Sequence, residues 1–155
     1  MTGLIHERFL VERLLPGSPT HAFRFFADHD LKRRWTNCHP DWREIETNFD
    51  FRPGGSELSL LQAPDGRVHE YRAHYLDIAR AQHIIYAFTM RIDARLVSSS
   101  HATIELRATS GDTRMVYTEQ AAFADATNIA SRREGTGWGF DRLVVAAEAD
   151  LATLQ

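Results

Sequence analysis

The sequence predicts an α+β fold in which a curved antiparallel sheet of about seven strands wraps around one long C-terminal helix. Three observations lead there. A strand-like segment is followed at once by two short helical patterns. The long middle of the chain then alternates apolar and polar residues with period two, and the last segment returns to a helical period. A sheet with one apolar face must bury it, and the final helix is the only element long enough to serve as its cover. At 155 residues the chain suits one domain spanning 1–155.

Taken in order, His6 to Leu15 reads as a strand stopped by Pro16-Gly17. Ser18-Pro19 opens a helix, because serine caps the first turn and proline fits the first helical position. Ala22, Phe23, Phe25, Phe26 and Ala27 follow at helical spacing. Asp28 or Asp30 caps a second short helix, Leu31 to Asn37. From Asp41 to Ala124 the period is two. Ile45, Thr47, Phe49 and Phe51 alternate, then Pro53-Gly54-Gly55 turns the chain. Glu57 to Leu61 and Val68 to Ile78 flank the hairpin signal Pro64-Asp65-Gly66. Further strands are marked by Ile84, Tyr86, Phe88 and Met90, and by Ala102, Ile104 and Leu106 before the turn Ser110-Gly111-Asp112. Met115, Tyr117, Glu119, Ala121 and Phe123 mark the last. Short turns between successive strands imply an antiparallel meander. Phe140, Leu143, Val144, Ala147 and Leu151 then form one apolar stripe, with a regular helix expected from about Gly137, after a solvated loop at Arg132-Arg133-Glu134.

Composition excludes several classes. Hydrophobic residues are 43% and charged residues 25%, the ordinary globular proportions. No apolar run approaches the ~18 residues of a membrane helix. The first residues lack the basic-then-apolar layout of a signal peptide, so a cytoplasmic location is expected and no membrane insertion. The single cysteine, Cys38, excludes an intrachain disulfide. Cys38, His39 and Asp41 share a loop, but adjacent residues seldom converge on one ion, and no metal or cofactor is expected. A net charge of −3 argues against nucleic acid as a partner. Lys32 is the one lysine beside 17 arginines, and the arginines are scattered, as a compositional bias of the source genome would leave them.

Several stretches together resemble a known family. They are Ala22-Phe23-Arg24-Phe25-Phe26 with Leu31-Lys32-Arg33-Arg34-Trp35, Phe49-Asp50-Phe51-Arg52-Pro53-Gly54-Gly55, and Ala63-Pro64-Asp65-Gly66. Ala102-Thr103-Ile104-Glu105-Leu106, Thr118-Glu119-Gln120-Ala121-Ala122-Phe123, Arg133-Glu134-Gly135-Thr136 and Phe140-Asp141-Arg142-Leu143 continue the series. In order and spacing they resemble the helix-grip fold of the START-like (SRPBCC) superfamily. Within it they are similar to the activator-of-heat-shock-protein-ninety-ATPase homologue family in its short bacterial form. Many relatives carry two adjacent tryptophans at the end of the second helix, whereas here Trp35 is followed by Thr36. The resemblance implies a cavity between sheet and helix, and as partners a small ligand, a chaperone or a second copy of the chain. Trp42 and Tyr75 are the aromatics offered to a homodimer.

Strand parity places Leu58, Leu60, Tyr71, Tyr75, Tyr86, Phe88, Met90, Met115, Tyr117 and Phe123 on the concave face. By analogy with the fold, Trp35, Phe51 and Trp138 stand near its mouth. Several tyrosines among these residues suit a partly wet interior, because a buried phenol needs a partner. Glu119 shares the apolar parity of its strand, and a buried carboxylate is costly unless paired, with Arg52 or a tyrosine as the expected partner. His69 and His74 are five apart and point to opposite faces. The reading is a protein that binds a small hydrophobic or amphipathic ligand. The alternatives are a chaperone-linked interaction module and a cyclase or hydrolase using Glu119 and a tyrosine. No catalytic residue is assigned.

Overall fold

The structure is a computed structural model that describes residues 3–36 and 39–154. Its elements are β1 (Ile5–Leu15), α1 (Pro19–Ala27), α2 (His29–Thr36), β2 (Arg43–Phe49), β3 (Ser56–Gln62), β4 (Val68–Ala79), β5 (His83–Ile92), β6 (Arg95–Thr109), β7 (Asp112–Phe123) and α3 (Ile129–Thr153). The strands form one seven-stranded antiparallel sheet in the order β1-β7-β6-β5-β4-β3-β2. This is the predicted meander, with β1 returning to pair with β7.

The short helices start where the sequence places them. Ser18 accepts a hydrogen bond from the His21 N–H at 3.2 Å, and Pro19 stands at the first helical position. Asp28 is the residue that caps α2, accepting from the N–H groups of Asp30 at 2.9 Å and Leu31 at 3.2 Å. Phe25, Phe26, Leu31 and Trp35 turn inward from these two helices. Asn37, the expected last residue of the second helix, and Cys38 lie outside the described residues.

The sheet bends at irregularities in its pairing, between Glu44 and Glu46 on β2, Tyr75 and Asp77 on β4, and Met90 and Arg91 on β5. The first bulge explains why Ile45, expected on the buried side, is 41% exposed. The β5–β6 turn, Asp93-Ala94, has positive φ at both residues. It lacks the glycine that flags such turns, and its stability comes partly from Asp93 accepting the Val68 N–H at 2.9 Å. The Pro53-Gly54-Gly55 turn is tied to β4 on both sides: Gly54 N–H donates to Tyr75 O at 2.8 Å and Tyr75 N–H to Gly55 O at 3.0 Å. That clamp sets Phe51 over Tyr75, with ring centroids 4.9 Å apart.

Two expectations need correction here. Helix α3 starts at Ile129, two turns before Gly137, and Arg132-Arg133-Glu134 is helix rather than loop. Glycines at 135, 137 and 139 cost helix propensity, but tertiary bonds hold the segment. Arg13 donates to the Gly137 carbonyl at 3.1 Å and to Asp141 at 2.8 Å. Phe140, Leu143 and Ala147 of the expected stripe are buried, with Val144 and Leu151 half-buried.

Glycine substitutions separate these roles. A Cβ added at Gly135 or Gly139 meets nothing within 4 Å, so Gly135→Ala and Gly139→Ala should each raise stability by up to about 1 kcal/mol. Gly55→Ala puts a Cβ 2.2 Å from the Asp50 carbonyl oxygen and should destabilise. Urea midpoints check both signs.

Candidate functional site

In an antiparallel sheet, cross-strand partners share a face. Glu57 pairs with Ala73, Ala73 with Phe88, and Phe88 with Ser100; Ser59 pairs with Tyr71, and Tyr71 with Met90. These rows define the concave side. Helices α2 and α3 do not fill it, and a cavity of about 600 Å³ remains between them and the sheet.

Trp35, Phe51, Tyr71, Tyr75, Tyr86, Phe88, Met90, Tyr117, Glu119 and Trp138 all line this space. Leu58 also reaches it, although it shares the face of Arg72 rather than that of Tyr71. Leu60, Met115 and Phe123 do not line it. Leu60 pairs with Glu70 and Glu46, on the opposite face from Tyr71. The inner face of β3 is Glu57, Ser59 and Leu61, two polar residues where the leucine alternation suggested apolar ones. Met115 belongs to the main apolar core. Phe123 is roofed by the Arg132 guanidinium, 5.1 Å from its ring centroid. Tyr75 is only 3% exposed and Trp42 is half-buried between His39 and His69, so Tyr75 has no outer surface to give a second copy.

Two largely buried ion pairs sit in the wall. Glu119 is fully buried, and both its oxygens are engaged. Tyr117 donates to Oε1 at 2.6 Å; Ser100 and Arg132 donate to Oε2 at 2.8 and 2.7 Å. The partner is therefore a tyrosine together with Arg132, while Arg52 is engaged with Asp50. Arg132 also donates to Ser98 Oγ and lies over the Phe88 ring at 5.6 Å, leaving its side chain 9% exposed. The second pair joins Lys32 of α2 to Glu57 of β3 at 2.5 Å, with Tyr75 donating to the same Glu57 oxygen at 2.7 Å. The sole lysine thus has a defined place, 5.2 Å above the Phe49 ring. Sequence reasoning missed Arg132, Lys32, Glu57, Ser98 and Ser100. The usable signal was the inward parity of Glu119, which demands a cation.

Burial, reinforced by neighbouring carboxylates and phenols, pushes the hydroxyls of Tyr71, Tyr75, Tyr86 and Tyr117 above the usual tyrosine range, so all four stay protonated near neutral pH. Trp35 commits its indole N–H to the Phe25 carbonyl at 2.9 Å and offers the cavity only its ring, tilted against Phe140 at 5.8 Å. At the mouth, His39 stacks on Trp42 at 4.9 Å, Trp42 meets His69 at 4.6 Å, and His39 approaches Trp138 at 6.1 Å. Trp138 is 47% exposed, with Arg142 over its ring. His69 lines the cavity and His74, on the other face, is exposed. Among the described residues no group of three His, Cys, Asp or Glu is placed to hold a metal ion, and no helix is long and apolar enough to cross a membrane.

Residues 17–148 match the family described as Activator of Hsp90 ATPase homolog 1-like protein. The chain belongs to this family. Solved structures of bacterial proteins share its helix-grip fold over nearly their whole length. An uncharacterised protein from Rhizobium leguminosarum is 35% identical with a TM-score of 0.90, covering 96% of this chain and 99% of its own. The Mll3558 protein from Rhizobium loti is 35% identical with a TM-score of 0.86, covering 93% and 99%. Protein CV1439 from Chromobacterium violaceum, at 23% identity and a TM-score of 0.74 over 91% and 96%, shares the fold. No curated protein matches the chain. For this family member, fold and cavity are therefore the observations from which function has to be argued.

Removing one partner of the buried pair should be severe. Glu119→Ala or Arg132→Met leaves an uncompensated charge and should cost about 3–5 kcal/mol in urea denaturation, while the double replacement costs less than the sum. His69 supplies a pH test. Burial, then Arg67, lowers its pKa below 6.5, so the fold disfavours the charged ring. Its contribution to stability is complete above 6.5 and declines as the pH falls past that value. The variant His69→Gln should show a shallower loss of urea midpoint between about pH 7 and about pH 5 than the native chain.

Proposed function

We propose that the protein binds a small hydrophobic or amphipathic molecule in the cavity between the sheet and α3. The observation that carries this reading is the unfilled volume of about 600 Å³, whose wall is mostly apolar surface and includes many aromatic rings. Side chains normally close such space, since interiors pack to crystal density. The volume lies inside the range of roughly 300–1,000 Å³ common to small-molecule sites, and an apolar wall with a few placed polar groups is their usual form. The driving force is burial of ligand surface, at about 25 cal/mol per Å².

Two other roles have less behind them. A carboxylate acting as general base must reach a substrate proton. Glu119 has both oxygens committed to Tyr117, Ser100 and Arg132. A docking role for the outer sheet face needs a contiguous apolar patch. On β1, the exposed Leu10 and Leu14 are separated by Glu12, which is bonded to Arg114 at 2.9 Å.

A lipid and aromatic library screened by thermal shift tests the proposal. A ligand present at about a hundred times its Kd adds about 2.7 kcal/mol, a rise of about 5–10 °C for a chain of this size. Ser59→Trp, which projects a ring into the void from the inner face of β3, should abolish the shift. Melting points unmoved by every compound would sink the idea.

A further inference from the structure

The charges on the cavity wall are all answered from within the protein. Its cations are Lys32, Arg33, Arg91 and Arg132, and its anions Glu44, Glu57 and Glu119. Lys32 pairs with Glu57, Arg33 with Glu44, and Arg132 with Glu119, while Arg91 has Glu70 at 3.8 Å, a carboxylate it shares with Arg72. A carboxylate or ammonium group entering this space would lose water and compete with a protein partner for each opposite charge, which is costly for a buried ion. A fatty acid or an amine is therefore a poor occupant.

The hydroxyls discriminate further. Tyr75 donates to Glu57 and Tyr117 to Glu119, so both hydrogens are spent. Tyr86 makes no side-chain hydrogen bond to protein among the described residues, and its ring neighbours are Tyr75 and Phe88. Tyr71 makes no hydrogen bond to protein among the described residues, yet no enclosed side-chain polar atom among them lacks a partner. The hydroxyls of Tyr71 and Tyr86 are therefore both open to the cavity, where burial keeps them protonated and able to donate. The surroundings favour a flat ligand. The Phe88 ring is 5.2 Å from Tyr71 and 5.7 Å from Tyr86 on the sheet side, and Trp35 and Phe140 present rings from the helices. Offset stacking rewards an aromatic occupant, whereas a flexible acyl chain would lose rotamer freedom.

We propose that the cavity takes an uncharged aromatic compound bearing a carbonyl or ether oxygen, and that the neighbouring phenols Tyr71 and Tyr86 supply the hydroxyl hydrogen to that oxygen. This rests on the ligand-binding reading above and names the class of compound that the site selects.

Three matched probes test it by calorimetry: 2-acetonaphthone, 2-ethylnaphthalene and 2-naphthoate, which share a ring and differ in the polar group. On the native protein the ketone should bind about fivefold tighter than the hydrocarbon, the worth of one net hydrogen bond, and at least about tenfold tighter than the carboxylate. The double variant Tyr71→Phe/Tyr86→Phe, with folding checked by circular dichroism, should remove the ketone's advantage and leave the hydrocarbon's affinity unchanged. Glu57→Gln frees Lys32 and should strengthen naphthoate binding without weakening the ketone. Naphthoate binding as tightly as the ketone to the native protein overturns the proposal. So does a double variant that loses both neutral probes equally. In either case the cavity would still bind small molecules and the broader reading would stand. Binding of none of the three overturns this proposal, and the library screen decides the broader reading separately.

Discussion

The ion pair between Glu119 and Arg132 connects the sheet to the helix that covers it. Strand β7 delivers a carboxylate to the concave face, where no water reaches it. Only a cation with several donors can satisfy it there, and the first turn of α3 supplies one. The guanidinium also reaches Ser98 and lies over Phe88 and Phe123. The start of α3, the roof over Phe123 and one end of the cavity all follow from this contact. A pair of this kind adds little net stability over an apolar replacement, but breaking it is expensive, and so it fixes how the two layers seat.

Lys32, Glu57 and Tyr75 repeat the arrangement on the other side, joining α2 to β3 and β4. The two clusters act as spacers. Leucines at these positions would pull the layers together until the space closed, whereas satisfied polar networks hold their partners at hydrogen-bond length. The rings between them then face a volume they cannot fill. Trp35, its N–H bound to the Phe25 carbonyl, is locked as one wall, and the Gly54–Tyr75 clamp keeps Phe51 as another.

Much of this was legible in the chain. The period-two alternation from Asp41 to Ala124, the cap at Ser18 and the turn at Ser110-Gly111 are local signals, set by propensity and strand geometry within a few residues. They located every element, and the parity of β4, β5 and β7 placed Tyr71, Phe88 and Tyr117 on the cavity wall. On β3 the same reasoning chose Leu58 and Leu60, because leucine outranks serine and glutamate in any burial scale. The face was decided by Lys32, 25 residues away, which makes Glu57 the inward residue.

The sequence by itself determined the meander of the six strands from β2 to β7, the capped short helices, the closing helix and the need of Glu119 for a partner. Each of these depends on neighbours close in the chain or on the cost of burying one group. Tertiary structure alone decided that Arg132 answers Glu119, that the glycine-rich segment from Gly135 to Gly139 is helical, that Phe123 is roofed and that about 600 Å³ stays open. The physical reason is the same in each case. The free energy of these features lies in bonds between residues distant in sequence, so no window of local residues encodes them.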